Sequence, residues 1–456
     1  MAEVETAPVT EVHGRGWALL AASLGFAVVQ LDVSVVNVAI QPIGADLGGG
    51  VAGLQWVVNA YTVAFAALIL SAGALGDRIG ARRVFASGFA VFTLASAGCG
   101  LAPTLPALIA ARAVQGSGAA VLVPCSLSLL THRYPDPGER ARAVGLWAAG
   151  AAAALSAGPL VGGLLTAAFG WRSVFFVNAP IGVAALLLTH RYASETTRSR
   201  TRGMDLPGQL AAVVALVALA VAVVDGGQEG FGTAPVLLGL GLAALAAGAF
   251  VLVESRRGSP MLPLGLFRSG TFSAATAIGL TVNVLFYGLI FVLSLYFQRT
   301  RGWSVLATGL AFAPTTVAVL AGNLAAGRLA AAVGARRTLV GSAVVLAGSL
   351  AGLVAVGAGT PYTVLVGPLV AAGFALGVLV PVITAALLGS VEPSRSGVAS
   401  GALNTARQTG SVLGVSVFGA LAGLGLVSAL RLAAAISVGL AAGCAVLALG
   451  VRPEPG

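Results

Sequence analysis

Apolar runs of eighteen or more residues recur along the whole 456-residue chain, and this feature restricts the fold more than any other. A run of this length, wound into an α-helix, crosses a hydrocarbon core about 30 Å thick. Only 9% of the residues are charged, whereas about a quarter are charged in ordinary soluble proteins. We therefore predict an all-α polytopic membrane protein.

Polar residues between the runs divide the chain into fourteen predicted transmembrane helices. We predict two six-helix bundles separated by an inserted pair, a 6+2+6 arrangement with the inverted-repeat architecture of transporters. The predicted segments are an N-terminal tail (1–16), a first bundle (17–190), a linker (191–205), the inserted pair (206–253), a second linker (254–270), a second bundle (271–451) and a C-terminal tail (452–456).

The basic residues indicate how the chain is oriented. The formal charge is +10, and all 25 basic residues are arginine. With the N-terminus inside, nineteen arginines fall at the inner side, four at the outer side and two within helices. This bias follows the positive-inside rule, so we expect a multi-pass protein of the cytoplasmic membrane with both termini in the cytoplasm. Loop arginines of this kind do not indicate nucleic-acid binding.

Several function classes are excluded by residues that the chain lacks or places apart. Without lysine it has neither a P-loop ATPase motif nor a Schiff-base enzyme site. Cys99, Cys125 and Cys444 all lie in apolar segments, which indicates buried thiols and no disulfide framework. We expect no metal and no cofactor. The polar start of the chain and the long apolar run after it argue against a cleavable signal peptide.

An internal repeat supports the two-bundle arrangement. The stretch GALGDRIGARR (residues 73–83) recurs as GRLAAAVGARR (residues 327–337), with six of eleven positions identical at an offset of 254 residues. Each copy lies between the second and third predicted helices of its bundle. Chance similarity between Gly- and Ala-rich segments is the alternative explanation.

Asp32 is the only acidic residue well inside a predicted helix. A charged carboxylate within the hydrocarbon region normally faces the protein interior and has a partner. Arg112, in the fourth predicted helix, lies at a similar depth if the first helix ends at Ile40. We predict that the two side chains meet directly, or through Gln115 or water. Burial disfavours the charged carboxylate and a nearby arginine favours it, so such a pair could exchange a proton. A static structural ion pair is the alternative.

Other polar and aromatic side chains within the predicted helices are candidates for lining a substrate cavity. Each could instead form only interhelical hydrogen bonds. They are Asn37, Gln55, Trp56, Asn59, Tyr61, Gln115, Asn283, Tyr287, Asn404, Arg407 and Gln408.

The ordered motifs of the chain resemble those of the major facilitator superfamily, in its 14-helix drug:proton antiporter branch, which includes antibiotic-resistance exporters of actinomycetes. The resemblance covers nearly the whole chain. The similar segments are LDVSVVNVAIQP in the first predicted helix, GALGDRIGARR after the second, LIAARAVQGSGAA in the fourth, GLWAAGAAAALSAGPLVGG in the fifth, FGWRSVFFVNAPIG before the sixth and GVASGALNTARQTGSVLG in the thirteenth.

The resemblance implies roles for two groups of residues. One is a conformational latch, in which Asp77 binds a helix N-terminus of the other bundle in the outward-facing state. The other is an antiporter motif that bends the fifth helix and packs it closely. The latch residues are Gly73, Asp77, Arg78, Gly80, Arg82 and Arg83, and the antiporter-motif residues are Gly158, Pro159, Gly162 and Gly163. Ala81 stands at a commonly basic position, Ser34 replaces Thr, and Ala331 replaces the Asp in the second copy of the loop.

The resulting prediction is a monomeric, non-enzymatic antiporter that exports a small, largely hydrophobic drug or antibiotic in exchange for protons. With one membrane carboxylate, we expect neutral, weakly charged or monocationic substrates. Three alternatives stay open: an exporter of an endogenous metabolite, an importer with proton symport, and a non-transporting scaffold or receptor. A membrane enzyme is disfavoured because no catalytic cluster lies near a membrane face.

Overall fold

The computed structural model describes residues 9–196, 205–257, 260, 262–392 and 396–451. The described chain consists of helices joined by short connections and contains no β-strand. Its α-helices are α1 (Val9–Leu47), α2 (Gly50–Ile79), α3 (Ala81–Gly100), α4 (Leu105–Arg133), α5 (Pro137–Phe169), α6 (Ser173–Phe176), α7 (Asn178–Tyr192), α8 (Leu206–Glu229), α9 (Ala234–Arg256), α10 (Gly270–Leu295), α11 (Val305–Val333), α12 (Ala335–Ala351), α13 (Tyr362–Gly389), α14 (Ser396–Ala420) and α15 (Leu426–Leu449).

Each of the fourteen predicted spans corresponds to a helix, with α6 and α7 together forming the sixth. Within the described residues, twelve spans are long and apolar enough to cross a membrane on length and composition alone. The two long segments outside this set are α12, which has 17 residues, and α14, which carries several polar side chains. The all-α, multi-pass membrane fold expected from the sequence is confirmed.

Some helices extend beyond their predicted ends. α1 begins at Val9 and continues to Leu47, so residues 9–16, predicted as part of the tail, are helical. α1 ends where Gly48, Gly49 and Gly50 all adopt positive φ angles of 75°, 99° and 55°, a region that glycine enters without the steric cost of a Cβ. Asp32 therefore lies fifteen residues before the end of its helix, further than the sequence indicated.

The two bundles repeat the same helix pairing. In the first half (α1–α7), α1 packs on α5 and α2 on α4; in the second half (α10–α15), α10 packs on α14 and α11 on α13. The repeated loop has the same backbone form in both, since Gly80 (φ 109°, ψ 127°) and Gly334 (φ 87°, ψ 149°) each separate the second helix of a half from the third. The internal repeat in the sequence thus corresponds to a structural repeat.

The halves meet along two seams, between α2 and α14 and between α5 and α11. The inserted helix α8 packs on both helices of the first seam. Gln209 of α8 donates to the carbonyl of Ala67 in α2, and Gly227 of α8 lies against Ala420 of α14. A small apolar cluster joins all three helices through Val63, Ala220 and Val412.

Candidate functional site

The structure brings Asp32 and Arg112 into direct contact inside the first half, where their side chains are 0% and 1% exposed. Arg112 Nη1 donates to Asp32 Oδ2. The other carboxylate oxygen, Oδ1, accepts from Gln115 Nε2 at 2.8 Å and from Asn178 Nδ2 at 2.9 Å. Side chains from α4 and α7 therefore satisfy both oxygens of a carboxylate on α1.

Arg112 is fixed in this position by several contacts. Its Nε donates to the carbonyl of Val57 in α2 at 3.1 Å, and its Nη1 donates to Gln115 Oε1 at 2.7 Å. The guanidinium lies 4.3 Å from the centroid of the Tyr61 ring, within the range of a cation–π contact. Removing one partner of such a buried pair typically costs about 3–5 kcal/mol, because the other charge is left uncompensated.

Asn178 extends the polar cluster, and the sequence analysis assigned it no role. It is fully buried near the start of α7, and its Nδ2 also approaches Ser96 Oγ of α3 at 3.0 Å. Ser96 in turn donates to the carbonyl of Phe175 at 2.8 Å. The one signal for Asn178 was its place as a neutral polar residue in the apolar segment FFVNAPIG.

Three of the predicted cavity residues in α2 contact the second half or the inserted helix. Gln55 Nε2 donates to the carbonyls of Val415 and Ser416 at 3.0 and 2.9 Å. Asn59 Nδ2 donates to Ser416 Oγ at 2.8 Å. Trp56 packs on the apolar cluster that includes α8.

Asn37, on α1, donates to the carbonyl of Val33 in its own helix at 2.8 Å.

The predicted cavity residues of the second half lie on α10 and α14. Asn283 Oδ1 is 3.5 Å from Ser411 Oγ, and Tyr287 follows on the next turn of α10, 4% exposed. Gln408 is 7% exposed, and its Oε1 has no hydrogen-bond partner. Tyr287 is close enough to Tyr61 of the first half for the two side chains to interact electrostatically. Asn404, one turn from Gln408, donates to the carbonyl of Ser400 in its own helix at 3.0 Å.

The predicted latch loop is held by the end of α7 in the same half. The backbone N–H of Arg82 donates to Glu195 Oε1 at 3.1 Å, and Arg83 Nε lies 3.6 Å from Glu195 Oε2. The Glu195 carboxylate also occupies the space where a Cβ on Gly80 would project. Arg82 Nη2 donates to the carbonyl of His190 at 2.6 Å. Glu195 is not among the residues predicted from the sequence to form the latch.

The remaining latch residues lie on α2. Gly73 lies opposite Pro124 of α4, and Asp77 and Arg78 are in the last turn of α2. The resemblance implies that Asp77 binds a helix N-terminus of the other half. Residues 393–395, which immediately precede α14, lie outside the described residues, so this role stays a prediction.

The antiporter-motif glycines place α5 against a helix of each half. Gly158 lies against Ser34 of α1, and a Cβ on Gly162 would be 2.7 Å from the carbonyl oxygen of Val35. Gly163 faces the other half, where an added Cβ would be 3.2 Å from Gly309 Cα of α11. Pro159 is inside α5, with its carbonyl directed at Gly309. Close approach of this kind requires residues without side chains.

The halves also touch at one end of the molecule. We call outer the end at which α1 ends and α2 begins, following the predicted topology. Gln298 Nε2 donates to the carbonyl of Val38 at 3.1 Å, and Arg299 Nε donates to Gln41 Oε1 at 2.6 Å. Residues 32–40 of α1 are buried throughout, whereas several residues of the preceding three turns are partly exposed. The two halves are thus in direct contact at the outer end.

The sequence of the chain is similar to a protein-family model and to several resistance proteins of bacteria. A sequence model described as Major Facilitator Superfamily matches residues 22–415 and 276–456. The Methylenomycin A resistance protein of Streptomyces coelicolor is 40% identical over 405 residues, which cover 89% of this chain and 85% of that protein. The Multidrug resistance protein Stp of Mycobacterium tuberculosis is 38% identical, covering 88% of this chain and 75% of that protein.

A third relative, the Puromycin resistance protein pur8 of Streptomyces alboniger, is 36% identical over 88% of this chain and 81% of its own length. Among solved structures, a bacterial homolog of the human lysosomal transporter Spinster, in an inward-facing and unoccupied conformation, superposes with a TM-score of 0.66. It is 18% identical, and the match covers 96% of this chain and 97% of that one. At this identity the likeness concerns the fold alone.

Proposed function

The chain belongs to the major facilitator superfamily, and we propose that it exports a small, largely hydrophobic drug or antibiotic in exchange for protons. Its relatives are antibiotic- and multidrug-resistance proteins, which supports drug efflux as the general activity. We place the protein in the cytoplasmic membrane with both termini inside, on the basis of the arginine distribution.

The observation that carries the proton coupling is the environment of Asp32. In the described chain, Asp32 is the only carboxylate in the middle of a helix. Its ionised form is held by Arg112, Gln115 and Asn178. A proton arriving on Asp32 removes the charge that compensates Arg112, so protonation changes which arrangement of α1, α4 and α7 is most stable.

The helix α1 could link protonation of Asp32 to the contacts between the halves at the outer end. Gln41 lies nine residues beyond Asp32 on the same continuous helix, about 14 Å along its axis. Val38 and Gln41 accept hydrogen bonds from the second half at the outer end. A tilt of α1 that follows protonation of Asp32 would therefore break or form these contacts. Alternating access by rocking of the two halves requires such a connection.

The test is transport by purified protein in liposomes across an imposed pH gradient, with a panel of antibiotics. We expect Asp32→Asn to abolish gradient-driven transport. Asp46→Asn is the matched control: it lies on the same helix, but Asp46 is half-exposed and pairs with Arg172 at the outer surface, so transport should persist. Because Asp32→Asn leaves Arg112 uncompensated, size-exclusion chromatography must show that the variant is folded. Unchanged proton coupling in folded Asp32→Asn would refute the assignment.

A further inference from the structure

Arg407 differs from Arg112 in having no bound counter-charge. It lies in the middle of α14 and is partly exposed. Within the residues that the structure describes, its side chain makes no hydrogen bond and no ion pair. Arg112, by comparison, binds a carboxylate, an amide and a backbone carbonyl. The second half thus holds an arginine charge that no described residue neutralises.

The charge of Arg407 is permanent, because a guanidinium does not lose its proton in proteins. A charged residue within a membrane span normally faces the protein interior or a water-filled cavity, and it often marks a substrate or ion pathway. Asp32 is already bound by Arg112, Gln115 and Asn178 on the opposite side of the interface. A partly exposed cation within a span, which no acid of the described chain neutralises, is available to an anion from outside the chain.

The surroundings of Arg407 are suitable for a ligand. Its alkyl stem passes over Gly279 of α10, where an added Cβ would be 3.4 Å from Arg407 Cγ. Tyr287 of α10 lies within electrostatic reach of the guanidinium. On the facing half, the hydroxyl of Tyr61 lacks a hydrogen-bond partner. Tyr61 is in turn within electrostatic reach of Tyr287.

We propose that Arg407 binds an acidic group of the exported compound, a carboxylate or an ionised phenol or enol, with Tyr287 as a hydrogen-bond donor to the same group. This inference rests on the proposed export function and specifies its substrate class. It replaces the expectation of neutral, weakly charged or monocationic substrates, which was based on the number of membrane carboxylates and left Arg407 aside. An anion that moves outward also moves with a membrane potential that is negative inside.

The experiment measures equilibrium binding of three probes with the same ring system to purified protein in detergent. The probes are 1-naphthoate, 1-naphthamide and 1-naphthylmethylammonium, which are anionic, neutral and cationic. We expect the wild type to prefer naphthoate. Arg407→Gln should weaken naphthoate binding about tenfold or more, as expected for loss of a charge-assisted hydrogen bond, and leave naphthamide binding nearly unchanged. Arg407→Lys should recover part of the loss.

Arg431→Gln is the matched control, because Arg431 binds the carbonyl of Val356 in the loop before α13 and its removal changes the net charge equally. We expect it to bind naphthoate like the wild type. The proposal is overturned if the wild type binds no naphthoate, if it binds all three probes equally, or if Arg407→Gln weakens all three alike. In each of these cases, gradient-driven antibiotic transport that depends on Asp32 would leave the proposed function standing.

Discussion

Asp32 is surrounded by donors of two kinds, and they have different consequences. Arg112 contributes a positive charge, which loses its counter-charge when the carboxylate is protonated. Gln115 and Asn178 contribute neutral hydrogen bonds. Hydrogen bonds to the ionised form favour that form. Loss of a neutral donor would therefore weaken the hold on the ionised carboxylate without creating or removing the charge pair.

Asn178→Ala tests the contribution of the neutral donors. The substitution removes one hydrogen bond to the ionised carboxylate, so the protein should be destabilised by about 1.5–3 kcal/mol while the Asp32–Arg112 ion pair stays in place. Ser117→Ala is the control, since Ser117 Oγ bonds to the carbonyl of Ala113 in its own helix. Thermal unfolding compares the two variants, and equal stability would contradict this role of Asn178.

The sequence allowed the Asp32–Arg112 pair to be predicted because each is a lone charge in an apolar helix. Counting residues from predicted helix ends then placed them at similar depths, although α1 continues past the predicted end at Ile40 to Leu47. Asn178 and Glu195 could not be identified in this way. Asn178 is neutral, and its contact with Asp32 depends on how α7 packs beside α1. Glu195 lies beyond the end of α7, where an acidic residue is ordinary, and its contact with the Gly80 loop exists only in the folded bundle.

At the scale of elements, α5 packs closely against a helix of each half. Its glycines let it approach α1 within the first half and α11 across the interface at almost the same level. Thr316 of α11 adds a hydrogen bond to the carbonyl of Ser156 at 2.6 Å. The apolar runs and the motif predicted a closely packed α5. Which glycine faces which helix followed only from the three-dimensional arrangement.

Gly163→Leu should separate α5 from α11, because a side chain at this position meets Gly309 Cα and the carbonyl oxygen of Val305, both at 3.2 Å. Overpacking of this kind costs about 1–3 kcal/mol, and we expect transport to fall while membrane insertion persists. Gly150→Leu on the same helix is the control, since an added Cβ there has no atom within 4 Å. Thermal unfolding and liposome transport measure both effects. Equal behaviour of the two variants would refute the inter-half role of Gly163.

At the scale of the whole molecule, the two halves have corresponding internal packing and differ in their polar interiors. The first half encloses a complete ion pair, whereas the second presents an unpaired Arg407. The halves are joined at the outer end by hydrogen bonds from Gln298 and Arg299 to α1. If the halves rock, this is the end that must open for release to the outside.

A reversible cross-link tests that motion. Cysteines introduced by Gln41→Cys and Arg299→Cys can be joined by a bis-methanethiosulfonate reagent, and the native thiols of Cys99, Cys125 and Cys444 are buried. We expect cross-linking to stop transport and reduction with dithiothreitol to restore it. Each single-cysteine variant, treated in the same way, should keep transporting. Full activity of the cross-linked protein would show that the outer end need not open.

The position of α8 makes the two seams between the halves differ in how far they are covered from the lipid. On one flank, α8 covers the seam between α2 and α14 and is itself backed by α9. On the opposite flank, the described chain places no further helix over the seam between α5 and α11. A hydrophobic compound dissolved in the bilayer would thus be separated from the α2–α14 seam by α8 and α9, whereas the described chain places no additional helix between the lipid and the α5–α11 seam. For a compound that enters the protein laterally from the bilayer, the shorter path to the interface between the halves passes beside the glycines of α5.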